Sequence, residues 1–89
     1  MFIHLGQDKV VATTDIIGIF DMDSTTVYKT TRDFLAKAEK EGRVTNVAAD
    51  LPKTFVLCKE MGETKVYISG ISASTLQKKA VEFAEAGSL

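Results

Sequence analysis

From about Thr26 to Glu41 the apolar residues Val27, Tyr28, Phe34, Leu35 and Ala38, with Thr31 as a tolerated polar residue, recur at intervals of three and four. That is the period of an amphipathic helix. Gly42 suits the left-handed residue after its end, and Lys37 and Lys40 lie in the last turns, where the backbone dipole favours cations. The segments around this helix read as short strands. A parallel sheet needs a crossover of a dozen or more residues between successive strands, and after the helix the chain offers a hairpin instead. The pattern therefore predicts an α+β fold: a small, mostly antiparallel sheet of five or six short strands, one amphipathic helix after the third strand and a C-terminal helix.

Phe2 to Leu5 reads as a strand ended by Gly6-Gln7-Asp8, with Lys9 to Ala12 as its hairpin partner. Thr13-Thr14-Asp15 reads as a turn or a single helical turn. Ile16 to Phe20 is β-branched and apolar on both faces, which predicts the innermost strand. After the helix, Val44 to Ala48 reads as a short strand and Asp50-Leu51-Pro52 breaks the chain. Thr54 to Cys58 and Lys65 to Ile68 predict a hairpin joined by the loop Lys59 to Thr64. Ser72 is placed to cap a last helix with Leu76, Ala80, Phe83 and Ala84 as its apolar stripe. Gly87-Ser88-Leu89 closes the chain, and residues 81–89 read as a fraying tail of a single domain spanning 1–89.

Eighty-nine residues, 45% of them hydrophobic, can build one modest core. Eleven Lys and Arg against twelve Asp and Glu leave no global field to attract nucleic acid or an anionic membrane. The longest apolar run, Ile16 to Phe20, is far short of the roughly 20 residues that cross a bilayer. One cysteine, Cys58, allows no internal disulfide, and the absence of a secretory-type leader pattern predicts a cytoplasmic chain.

The stretch Ile19-Phe20-Asp21-Met22-Asp23-Ser24-Thr25-Thr26 raises an enzymatic reading. An apolar strand ending in Asp-x-Asp-x-Thr carries the nucleophile and general acid of phosphatases of the haloacid dehalogenase type. That chemistry also needs an acidic pair at the end of a later strand to hold Mg²⁺. Here the later acids, Asp50, Glu60, Glu63, Glu82 and Glu85, are scattered. The competing reading has Asp21 and Asp23 ending a strand and Ser24, Thr25 or Thr26 capping the following helix. Phosphatase chemistry ranks last, no enzyme is predicted, and no catalytic residue is assigned.

His4 has no second histidine or cysteine cluster beside it and is expected to be a partly buried strand residue rather than a metal ligand. Cys58 follows Phe55 to Leu57 and is expected in the core. Gly6, Gly18, Gly62 and Gly70 form no phosphate loop, so no cofactor is expected. Lys29, Arg32, Lys37, Lys40 and Arg43 could touch phosphates, although the interleaved acids suit a solvated helix face. Lys53, after Pro52, sits on a turn from which a base can project.

Taken together, MFIHLGQDKVV, TTDIIGIFD, TRDFLAKAEKEGRV, PKTFVL and KVYISGISASTLQKKA resemble the bacterial extracellular-matrix regulator family, in its RemB-type members. The resemblance covers roughly residues 1–80, and Ile3-His4-Leu5-Gly6, Asp15 to Asp21 and Ser72 to Leu76 are its more specific parts. It implies a small cytoplasmic α+β protein linked to control of biofilm-matrix genes. It further implies relatives of the RemA type that bind DNA and assemble into rings, with arginines at the start of the central strand and just ahead of the later hairpin. The matching positions here are Thr14 or Asp15, and residues within Asp50, Leu51 and Pro52; only Lys53 keeps a base nearby.

The nucleic-acid-binding candidates are accordingly Lys53, Arg43, Lys29 and Arg32. Self-association into a ring or other homo-oligomer is the expected partnership, double-stranded DNA a further one, and a membrane none. A second reading is an oligomeric interaction module that does not bind DNA.

Overall fold

Six strands and the two expected helices are present in a computed structural model, which describes residues 1–87 and the side chains of residues 1–80. The order is β1 (Phe2–Gly6), β2 (Lys9–Ala12), a 3₁₀ turn (Thr13–Asp15), β3 (Ile16–Asp21), α1 (Met22–Thr25), α2 (Lys29–Lys40), β4 (Val44–Asn46), β5 (Thr54–Glu60), β6 (Glu63–Ser69) and α3 (Ala73–Gly87). The strands divide between two sheets. β1 and β2 pair as an antiparallel hairpin, and the other four form a sheet in the order β3-β5-β6-β4. β4 runs parallel to β6, and every other pairing is antiparallel.

Elements pack on both faces of the four-stranded sheet, but on the second they take only the β4–β6 side. On one, the hairpin and α3 bury Ile3, Leu5, Val11 and Leu76 against Val56, Cys58 and Tyr67. On the other, Ala38 and Leu35 of α2 pack on Phe55, Val66, Ile68 and Val44. β3 is apolar on both sides without being the innermost strand. Ile19 faces the first cluster and the Phe20 ring stacks on Phe55, with centroids 4.9 Å apart, on the second. Apolar side chains on two faces do not require pairing at two edges, and β3 is an edge strand. A bulge between Ile16 and Gly18 leaves Ile17 57% exposed, and the Gln77 side chain of α3 donates to the Ile19 carbonyl at 3.3 Å. Both devices blunt an open edge.

The helix expected from Thr26 to Glu41 is shorter and preceded by a separate turn of helix. Asp21 caps α1, its Oδ1 accepting from the Ser24 N–H at 3.1 Å. The Thr25 and Thr26 hydroxyls do not cap; they donate back to the carbonyls of Asp21 and Met22 at 2.5 and 2.6 Å. Val27 and Tyr28 therefore fall between helices, 67% and 63% exposed. Gly42 (φ +74°) ends α2 as expected. Ser72 also behaves as expected, its Oγ accepting from the Thr75 N–H at 3.3 Å. Phe83 and Ala84 of the predicted stripe lie outside the described side chains.

The loop expected from Lys59 to Thr64 is mostly strand. Glu60 pairs with Glu63, so only Met61 and Gly62 turn, and their φ values of 51° and 81° are those of a type I′ turn, which matches the twist of a hairpin. The strand expected at Val44 to Ala48 stops at Asn46, whose Oδ1 accepts from the Ala48 N–H at 2.9 Å. His4 is exposed rather than partly buried, because it shares the outer face of β1 with Phe2 while Ile3 and Leu5 point inward.

Candidate functional site

The two ends of the sheet divide the candidate bases. Lys53 precedes β5, where its backbone is held on both sides: its N–H donates to the Ser69 carbonyl at 2.9 Å, and its carbonyl accepts from Met22, also at 2.9 Å. The side chain is exposed and forms no ion pair among the described residues. Lys29 and Arg32 lie on the first turn of α2, which begins at this same end, just after α1. Lys29 pairs with Asp33 at 2.8 Å, with side chains 80% and 63% exposed; such a solvated pair holds the ammonium weakly. One Arg32 Nη1 donates to the carbonyls of Thr26 and Val27 at 2.7 and 2.9 Å, tying the chain between the helices.

Arg43 stands at the other end. The carbonyl of Arg43 accepts from the Val66 N–H, whereas Lys53 is held at Ser69, about 10 Å further along β6. Its guanidinium donates twice to Glu41 Oε1, at 3.0 and 2.6 Å, and once to the Thr64 carbonyl at 3.2 Å. Those bonds from Arg43 hold the Glu41 carboxyl below its ordinary range. The guanidinium is thus committed to fastening the α2–β4 connection to the β5–β6 hairpin. The structure brings Lys53, Lys29 and Arg32 to one end and leaves Arg43 apart.

The Asp21 carboxylate is the α1 cap, and no group of three or more His, Cys, Asp or Glu side chains assembles among the described residues. Cys58 is buried as expected; burial, with the nearby carboxylates of Glu60 and Asp15 adding, pushes its thiol up to about 11.

A second feature was not evident from the residues in order. Between α2 and β3 lies an open cleft of about 340 Å³ lined by Phe20, Phe34, Phe55 and Leu57 with Thr25, Thr30 and Thr31. Its floor is the Phe20–Phe55 stack. Gly18 makes room for that ring: a Cβ there would stand 2.6 Å from Phe20. The signal in the sequence is the pair Thr30-Thr31, which puts hydroxyls on the inner side of an otherwise apolar helix face.

A family model described as RemA-like, extracellular matrix regulatory protein A-like, matches residues 2–80. This chain belongs to the RemA-like family. It is also 38% identical over 80 residues to extracellular matrix regulatory protein B of Bacillus subtilis (strain 168), covering 90% of each chain. The resemblance drawn from the five sequence stretches is thereby shown, and the relative's name supports an extracellular matrix regulatory protein. Within this RemA-like chain, the positions that the resemblance matched to arginines carry no base. Thr14 and Asp15 lie in the 3₁₀ turn, and Asp50, Leu51 and Pro52 in the exposed loop before Lys53. No helix among the described residues is long and apolar enough to cross a membrane.

Proposed function

We propose that this chain is a cytoplasmic, homo-oligomeric regulator of extracellular-matrix gene expression that reaches double-stranded DNA through Lys53, with Lys29 and Arg32 at the same end of the sheet and Arg43 in a structural role. The observation that carries self-association is the exposed apolar surface. Phe2, Ile17, Val27, Tyr28 and Leu51 are each more than half exposed, the Phe20–Phe34 cleft is open and apolar, and apolar surface left exposed supports an interaction role. One lysine per subunit contributes little affinity, because non-specific binding is built from several phosphate contacts. Repetition in an oligomer supplies them, each further contact being made at high effective concentration.

A second reading, a module that assembles with protein alone, is favoured by the commitment of Arg43 and Arg32 to carbonyls and carboxylates of their own chain. Both readings leave Asp21 as a helix cap and assign no catalysis. Fluorescence anisotropy of labelled duplex DNA at low and physiological salt, with light scattering on the same sample, separates them. The first expects a multimer whose salt-sensitive binding is weakened by Lys53→Ala. A multimer that leaves DNA free at both salts would establish the second, and a monomer would remove both.

A further inference from the structure

The α2 face of the sheet is half covered. Strands lie about 4.8 Å apart and a helix with its side chains is about 10 Å across, so a four-stranded face has room for roughly two helices. α2 takes the β4–β6 side, where Leu35 and Ala38 meet Val44, Val66 and Ile68. The β3–β5 side remains as the cleft floored by Phe20, Phe55 and Leu57. By strand alternation Lys59 continues the row Phe55, Leu57 at the far end, and Lys37 lies one turn after Phe34 on the α2 wall. Both lysines are exposed and without an ion pair among the described residues. The vacant width is apolar and cationic at one end.

A segment of opposite character follows the family domain. The family model stops at residue 80, and residues 81–89 read VEFAEAGSL, with two carboxylates, no base, and Val81, Phe83 and Leu89 as large apolar residues. α3 runs on through Gly87, so much of this segment is helical, as a helix-wide gap requires. In the sequence Glu82 and Glu85 are three positions apart, with Phe83 and Ala84 between them. α3 begins on the other side of the sheet from this cleft. Leu76 and Ala80 hold α3 on the opposite face of the sheet, and a helix continuous to Gly87 does not turn back around β3. We propose that the cleft of each subunit receives residues 81–89 of a second copy of the chain, with Glu82 and Glu85 toward Lys37 and Lys59. This rests on the self-association proposed above and names its contact.

A charge exchange on the full chain tests it, read by light scattering across a concentration series at low salt, with circular dichroism to verify folding. All four substituted residues are surface positions or lie outside the family domain. Lys37→Glu with Lys59→Glu, and separately Glu82→Lys with Glu85→Lys, should each weaken self-association about tenfold. All four together should restore it, since the attraction is recreated with its signs exchanged. A wild-type multimer indifferent to both pairs, or one that the quadruple variant fails to rescue, would overturn the docking and leave self-association standing. A wild-type chain at the mass of one subunit, 9.7 kDa, would overturn both.

Discussion

Gly6 and Val47 approach so closely that a Cβ on Gly6 would stand 2.3 Å from the Val47 carbonyl oxygen, and Gly6 itself holds φ +150°. Here the β1–β2 hairpin meets the segment after β4. Gly6→Ala carries both a backbone penalty and a clash with main chain that cannot rotate away. A loss of about 2–4 kcal/mol is expected. Denaturant titration measures it, and hydrogen exchange should show the greatest loss of protection in β1 and β2. Wild-type stability in this variant would mean that the hairpin does not seat on the β4–β5 connection.

A buried polar chain fastens the same hairpin from the other side. The Ser69 Oγ donates to the Leu5 carbonyl at 2.5 Å and accepts from the Ile71 N–H at 3.1 Å, while Thr54 Oγ1 donates to the Ile71 carbonyl at 2.7 Å. Ser69 and Thr54 are both fully buried. Ser69→Ala strands a donor and an acceptor away from water and should cost about 1–3 kcal/mol. The denaturation midpoint should fall with the slope unchanged.

Met61 offers a gain. It is fully exposed at 103% and holds φ +51° at the first position of the β5–β6 turn. A left-handed conformation costs a residue with a Cβ roughly 1–2 kcal/mol, and Asn ahead of Gly suits this turn type best. Met61→Asn should raise stability by about 0.5–1 kcal/mol on that account. A melting temperature that falls instead would show the thioether packing on something.

Asp21 separates capping from chemistry. Asn caps as well as Asp, so Asp21→Asn should leave stability nearly unchanged, whereas Asp21→Ala should cost about 1 kcal/mol. Phosphate release from a generic substrate in the presence of Mg²⁺ should be at background for all three chains. Mg²⁺-dependent turnover in the wild type that both Asp21→Asn and Asp21→Ala abolish would restore the enzymatic reading.

Alkaline pH should loosen the contact between the hairpin and the far end of the sheet. Lys9 pairs with Glu60 at 3.7 Å and lies 4.7 Å above the Tyr67 ring, and the Tyr67 hydroxyl donates to Glu60. The hydrogen bond to Tyr67 raises Lys9, and burial followed by the bond to Glu60 raises Tyr67. Cys58, beneath them, moves from 9.0 to about 11 through burial. All three shifts are upward, so the folded chain keeps protons that the unfolded chain releases, and stability falls as pH rises. It should be undiminished below about 9 and decline towards 11. Melting temperatures from pH 7 to 11 read the trend, and Cys58→Ala should flatten part of it; a flat profile in the wild type would contradict the assignment.

The sequence by itself determined which segments are strands and helices, where α2 stops, and that Ser72 opens α3. Those are local properties: β-branched runs, a three-and-four periodicity, and a glycine or a hydroxyl where the backbone needs one. It determined the family too, because five stretches within residues 1–80 carry the pattern. Position within the sheet was decided only by tertiary structure. Ile16 to Phe20 reads as central because it is apolar on both sides, yet burial of faces says nothing of edges, and β3 borders β5 alone. The helix start was likewise misplaced, because the Asp21 cap begins α1 early and leaves Val27 and Tyr28 between helices. The fate of the bases could not be read either. Arg43 and Thr64 are 21 positions apart, and only the parallel β4–β6 pairing lets that guanidinium bond across. The cleft belongs to the same class: Phe20, Phe34 and Phe55 come from three elements, and their shared surface exists only once α2 has settled toward β4 and left the β3 side open.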